Sequence, residues 1–253
     1  MRNKEKEAVI IVDYQKGFAD KQVNELYVNG GETLAPIINE VTREVKSKGG
    51  IILASKDMHR LGNVSFAQNF KGKVALTDAL KAGKTPGPEN FITLSEVEHW
   101  TEESNGLEDS AGFTVSELKA YLSTQKNYTM ALWPAHCVVN TPGSEYQDGL
   151  DKSLIDIEII KGYQNNTHPY SAYPGIELGT KREVIDVLDE EGIIKVKVTG
   201  LAADWCAGDT AIDIAKVGRF VVEFIKKASK AVTPADEVEY LMNMRNSGVI
   251  IVE

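Results

Sequence analysis

Cys206 ends the run Gly200-Leu201-Ala202-Ala203-Asp204-Trp205-Cys206, just after the alternating, β-branched segment Ile194 to Val198. Beyond it, Ala207, Ala211, Ile212, Ile214 and Ala215 form a mostly small or apolar face at helical spacing. A cysteine in the first turn of such a helix meets backbone N–H groups without intrahelical partners and the positive end of the helix dipole. Both favour a thiolate. The competing reading is a small buried core thiol. Two further strand ends carry reactive groups: Asp13 follows Ile10-Ile11-Val12, and Lys161 follows Ile157-Glu158-Ile159-Ile160. In open parallel sheets ligands bind beyond the carboxyl ends of the strands, so an acid, an ammonium and a thiol are offered to one edge. The acid can take the proton of the thiol and the ammonium can stabilise the anion that results. Taken alone, Asp13 is equally readable as a helix N-cap.

A second cluster begins with Asp57-Met58-His59, just past the strand-like Ile51 to Ala54. In an extended chain, residues two apart point to the same side, so both side chains can face one cation. His136, in Trp133-Pro134-Ala135-His136-Cys137-Val138, is a candidate third ligand. One carboxylate and two imidazoles suit zinc, iron or manganese with positions left open. The rival reading is two ordinary polar histidines and an exposed aspartate. His99 and His168 read as solvated surface residues, and Cys137 as an inward-packed thiol without chemistry.

The elements that must hold these groups are legible as an alternation. Short apolar runs predict buried parallel strands at Ala8 to Val12, Ile51 to Ala54, Ile157 to Ile160, Ile194 to Val198, Phe220 to Ile225 and Val249 to Val252. Helical patterns lie among them at Thr33 to Lys48, Lys181 to Glu190, Trp205 to Val217 and Ala235 to Asn246. Such βαβ units predict an α/β fold, three layers with a mostly parallel central sheet between helices. Residues of about 68–128 interrupt the rhythm. They contain a Pro/Gly loop (Gly83 to Asn90) and two capping-box patterns, Ser95 with Glu98 and Thr114 with Glu117. This stretch is expected to be an insertion of one or two helices within a single domain spanning 1–253. It reads either as a functional lid or contact surface, or equally as a decorative insertion or an oligomer contact.

Composition sets limits. The chain of 253 residues can bury a full core, and its net charge of −9 argues against nucleic acid or an anionic membrane as the main partner. Two cysteines do not describe a disulfide framework, so reduced thiols in a cytoplasmic protein are expected. The charged opening Met1 to Glu7 lacks the apolar core of a signal peptide, and no run approaches the length of a membrane span.

Taken together, these residues resemble the nicotinamidase/pyrazinamidase branch of the isochorismatase-like cysteine hydrolases. Ile11-Val12-Asp13-Tyr14-Gln15 with Phe18 resembles the family opening V-D-x-Q-x-x-F. Asp57-Met58-His59 with Ser65-Phe66-Ala67 resembles D-x-H…S-F-A, and Trp133 to Val138 with Thr141 and Gly143 resembles W-P-x-H-C-V…T-x-G. Lys161-Gly162 with Tyr170-Ser171-Ala172-Tyr173 resembles K-G…Y-S-A-F, and Gly200 to Cys206 resembles G-[IL]-A-x-[DE]-x-C. The resemblance implies that Cys206 is the nucleophile on an amide carbon, Asp13 the general acid/base and Lys161 the third member of the triad. It implies an oxyanion hole from the backbone of Ala202 and Cys206, with a cis peptide between Leu201 and Ala202. Phe18 and Trp133 would pack the substrate ring, and Asp57, His59 and His136 would hold one divalent metal ion, zinc first among the choices. The implied substrate is a small amide, nicotinamide or pyrazinamide, giving the acid and ammonia through a thioester. Asn63 departs from the pattern: relatives commonly carry a further histidine there, and Met58 and Arg60 replace the usual Trp and Pro. A superfamily amidase for another small amide, or a decayed binding module, are the readings that this departure and the insertion leave open.

Overall fold

The structure is a computed structural model and describes residues 6–180 and 182–253. Met1 to Glu5 and Lys181, which the expected leader-free start and the expected helix Lys181 to Glu190 include, lie outside the described residues. The strands in chain order are β1 (Glu7–Val12), β2 (Ile51–Asp57), β3 (Phe91–Thr93), β4 (Thr129–Ala131), β5 (Ile157–Lys161), β6 (Ile176–Glu177), β7 (Lys195–Leu201), β8 (Val221–Lys230) and β9 (Ile250–Val252). The helices are α1 (Lys16–Ala19), α2 (Ala35–Ser47), α3 (Leu76–Lys81), α4 (Leu94–Val97), α5 (Val115–Thr124), α6 (Val184–Glu190), α7 (Cys206–Lys216) and α8 (Pro234–Asn246). The chain divides into two compact units. The first comprises Met1–Asp57, Pro142–Lys161 and Pro169–Glu253; the second comprises Met58–Thr141 and Gly162–His168.

The first unit is built on a seven-stranded sheet in the order β6-β5-β2-β1-β7-β8-β9. Only the short edge strand β6 runs antiparallel, and the rest pair in parallel. Alternation along β1 sorts the two faces. Ala8, Ile10 and Val12 join a core with Val184 and Leu188 of α6, Ala207 and Ile214 of α7, and Leu241 and Met244 of α8. Helix α2 packs against β1 and β2, with Ile38, Val41 and Val45 buried. Helices therefore cover both faces, and the expected three-layer α/β fold is what the chain forms. Register sets the functional edge: Asp57 pairs with Lys161, and Val12, the residue before Asp13, pairs with Gly200. Gly200 has φ of +105°, and a Cβ there would meet the Val12 carbonyl oxygen at 2.1 Å, so only glycine lets the two strands end side by side.

The second unit holds most of the insertion, which is more structured than the sequence suggests. It contains α3, α4 and α5 and the antiparallel pair β3–β4. Its core gathers Val64, Phe70, Ile92, Val97, Phe113, Leu118, Leu122, Met130 and Leu132. Leu118 and Leu122 are fully buried, each contributing about 1.5–3 kcal/mol by the area it removes from water. The Thr114–Glu117 capping box forms: the Thr114 hydroxyl accepts from the Glu117 N–H at 3.1 Å, and the Thr114 N–H donates to the Glu117 carboxylate at 2.8 Å. The expected Ser95–Glu98 box does not. Thr93, at the end of β3, caps α4 two residues earlier, accepting from the Glu96 N–H at 3.2 Å, and the helix ends at Val97.

Candidate active site

In the first unit, the chain leaves β1 at Asp13 with φ of +46°, which turns this carboxylate off the strand line. The Ser55 hydroxyl of β2 donates to Asp13 Oδ1 at 2.7 Å and accepts from the Asp13 N–H at 3.2 Å. Gln15 holds Asp57 in a similar way. Its Oε1 accepts from the Asp57 N–H at 2.7 Å, and its Nε2 donates to the Asp57 carbonyl at 2.8 Å. Lys161, at the end of β5, reaches both acids: Nζ lies 2.5 Å from Asp57 Oδ1 and 2.9 Å from Asp13 Oδ2. The same ammonium donates to the Pro169 carbonyl at 3.1 Å and stands 3.7 Å from the Cys206 sulfur. The candidate ligand atoms of Asp13, Asp57 and Cys206 lie within 4.8 Å of one another, a spacing that suits a cation. Lys161 is that cation.

Cys206 opens α7, directly after a tight turn. The Ala202 carbonyl accepts from the N–H groups of Trp205 (3.1 Å) and Ala207 (3.0 Å), and the Ala203 N–H donates to the Lys230 carbonyl at 2.8 Å. Asp204 is buried and accepts from the N–H groups of Val232 and Thr233, which ties the turn to the start of α8. The peptide between Leu201 and Ala202 is cis. As the first residue of the helix, Cys206 has a backbone N–H beyond the reach of any intrahelical carbonyl. Phe18, on α1, is buried in this unit.

Electrostatics correct one expectation. Burial pushes the Cys206 thiol well above its ordinary value; Lys161 lowers it, but Asp13 and Asp57 oppose that. The helix dipole, worth about 0.3–2 kcal/mol, does not offset desolvation beside two carboxylates. The resting group is a thiol. Burial raises Asp13 to about 6, with Lys161 lowering it and Asp57 raising it. Burial alone would lower Lys161, but Asp13, Asp57 and Cys206 outweigh it and hold the ammonium well above its usual range. At neutral pH the cluster is a thiol beside an ionised acid and a fixed ammonium, an arrangement in which the acid can take the thiol proton as sulfur attacks.

The second unit gathers three imidazoles. His59 and His136 come together as the sequence suggests, with ring centroids 5.0 Å apart. His168 joins them: it is 3 % exposed and stacks on His59 at 4.9 Å, so its reading as a solvated loop residue is wrong. Its loop is held from several sides. Tyr121 of α5 donates its hydroxyl to the His168 carbonyl at 2.9 Å, and the Asn63 amide donates to the carbonyls of Gln164 and Thr167, each at 3.0 Å. Asn63 is itself fixed by Ser65, whose N–H and hydroxyl donate to its Oδ1 at 3.0 and 2.8 Å. Nδ1 of His59 lies 2.9 Å from the Gly162 carbonyl, and Nδ1 of His136 lies 2.8 Å from the Pro134 carbonyl. A carbonyl only accepts, so both Nδ1 atoms carry the proton and both Nε2 atoms carry the lone pair, the tautomer that binds metals. Gly162 has φ of +71°, and a Cβ there would meet the His59 ring at 2.3 Å. Trp133 is buried in this unit, its backbone bonded to Ser65 and Ala67. His99, in the turn after α4, is exposed.

Comparison with known proteins agrees with this fold. No family model matches the chain. Nicotinamidase of Schizosaccharomyces pombe is 28% identical over 81% of this chain and 74% of the relative. Nicotinamidase of Acinetobacter baylyi is 27% identical over 83% of this chain and 75% of that one. Pyrazinamidase of Pyrococcus horikoshii, solved in complex with zinc, superposes with a TM-score of 0.63 at 25% identity, covering 98% of this chain and 99% of that one. With the five motifs in order on this fold, the chain is similar to the nicotinamidase/pyrazinamidase branch of the isochorismatase-like hydrolases.

Proposed function

We propose that the chain is an amidohydrolase that converts nicotinamide, or the related pyrazinamide, to the corresponding acid and ammonia. The observation that carries this reading is the buried contact set of Lys161 with Asp13, Asp57 and Cys206 at the ends of parallel strands, in a chain 28% identical to a relative named nicotinamidase. Cys206 is the nucleophile. Asp13 takes the thiol proton as sulfur bonds to the amide carbon, and the N–H groups of Ala202 and Cys206, beside Leu201, receive the charge that develops on the amide oxygen. Asp13 then returns the proton to the departing nitrogen, the C–N bond breaks and ammonia leaves. A water gives its proton to Asp13 and attacks the thioester carbon; the C–S bond breaks, and the Cys206 sulfur takes the proton back as the acid departs. Lys161 stays charged throughout and holds Asp13 in place. Phe18 and Trp133 flank the aromatic ring.

Asp57, His59 and His136 would hold one divalent ion, zinc above iron or manganese, since imidazoles with a carboxylate suit that ion. When bound, such an ion supplies a Lewis-acid anchor for the substrate ring. The tautomers fixed by Gly162 and Pro134 fit it. The whole chain works as one hydrolase domain on a small-molecule amide in the cytoplasm, with neither nucleic acid nor membrane as partner, and is free to assemble with copies of itself. Among the described residues no helix is long and apolar enough to cross a membrane. Equimolar nicotinate and ammonia from nicotinamide incubated with the purified protein would support the activity; release from other small amides with none from nicotinamide would move the substrate elsewhere.

A further inference from the structure

We propose that His168 is a third imidazole ligand of the divalent ion, and that Asn63 is the residue that positions it. The inference rests on the metal reading above and adds to it a residue that neither the motifs nor the comparisons assign. The ligand nitrogens of His59, His136 and His168 lie within 4.8 Å of one another, and all three side chains are buried. Nitrogens around one zinc ion at about 2.0–2.1 Å stand roughly 3.4 Å apart, so a small side-chain adjustment brings three such atoms onto one ion. His59 and His168 stack, at 27°, and His136 meets both edge-on, at 79° and 84°. Phe66 closes another side, 5.4 Å from His59 and 5.3 Å from His136.

His168 could not reach this place by local sequence preference. Its loop, Tyr163 to Thr167, is polar, and what draws it inward is Asn63. The Asn63 amide group spends both donors on the Gln164 and Thr167 carbonyls, its oxygen is taken by Ser65, and the Val64 N–H adds a bond to the Asn165 carbonyl at 2.7 Å. With its polar atoms so engaged, Asn63 is a clamp rather than a ligand. Tyr121 then fixes the His168 backbone from the other side, so that helix α5 of the insertion supports the metal loop.

The proposal is tested by zinc binding to the full chain, measured by competition with a chromophoric chelator, together with the visible spectrum of the cobalt-substituted protein. His168→Gln, which keeps bulk and polarity, and His168→Ala are compared with His59→Ala and His136→Ala, with thermal unfolding of each apo-protein confirming the fold. The expected result is one bound ion in the wild type, affinity reduced more than about tenfold in both His168 variants, and altered cobalt bands. Asn63→Ala should weaken binding less, by changing where His168 sits. Unchanged affinity and an unchanged cobalt spectrum in the His168 variants, with binding lost in the His59 and His136 variants, would overturn the role of His168 and leave the metal reading standing. No binding by the wild type would overturn both.

Discussion

The Lys161 ammonium sits 2.5 Å from the Asp57 carboxylate, with both side chains 1 % exposed. Their pairing is set by register, since the two residues are opposite one another at the ends of parallel strands. A buried ion pair is weak evidence for stability, but removing one partner strands the other. Here the stranded charges would be two, Asp57 and Asp13. Lys161→Met should therefore lower unfolding free energy by about 3–5 kcal/mol, read as a lowered midpoint in urea, and abolish turnover. A variant as stable as wild type would mean that the two acids are not both ionised.

The raised Asp13 acid gives the reaction a pH signature. In the proposed mechanism its carboxyl, lifted to about 6 by burial, must be ionised to take the thiol proton. Below that pH it is protonated, so kcat/KM should fall about tenfold per unit as pH drops through 6 and level off above it, at constant metal content. Because the Ser55 hydroxyl donates to Asp13 and favours the ionised form, Ser55→Ala should move this limb to higher pH. A limb that stays where it was would remove Asp13 from the proton path.

Gly162 tests how tightly the metal loop is built. Gly162→Ala puts a methyl against the His59 ring in a left-handed conformation that costs an L-residue about 1–2 kcal/mol. The ring must move off its carbonyl bond. Weaker zinc binding with a lower melting temperature is expected; a neutral substitution would show that His59 is not held as described.

Tyr121→Phe removes one hydroxyl and leaves the His168 carbonyl without that donor. About 1 kcal/mol of stability should go with it, measured by denaturant unfolding. Zinc affinity should fall a few-fold at the same time, and a loss of stability without a change in affinity would confine Tyr121 to packing.

Much of this was readable in the residues. The parallel strands announced themselves as apolar, β-branched runs, and the six runs all became strands of the central sheet. Their ends were blurred where polar residues continue them: β2 extends through Ser55 and Lys56 to Asp57, and β8 through Lys226 to Lys230. Strand-end position also singled out Asp13, Lys161 and Cys206, which the structure brings together. The protonation of Cys206 was not readable, because it depends first on burial and then on two carboxylates brought beside it from the ends of β1 and β2. His168 was missed for a related reason. In Gln164-Asn165-Asn166-Thr167-His168 every neighbour is polar, and burial comes from Asn63 and Tyr121, distant in sequence. The one available signal was Asn63 itself, an amide placed in a histidine position and so in need of another explanation. The insertion's core was half visible, since Thr114 with Glu117 marked the start of α5, whose Leu118 and Leu122 fill it.

Ammonia release from nicotinamide by the wild type and by Cys206→Ala, at matched metal content, tests the central claim most directly. The expected result is turnover in the wild type and a loss of roughly 10⁴-fold or more in the variant, with its fold and zinc affinity unchanged. Comparable release by the two proteins would contradict a cysteine nucleophile, and with it the mechanism built on Asp13 and Lys161.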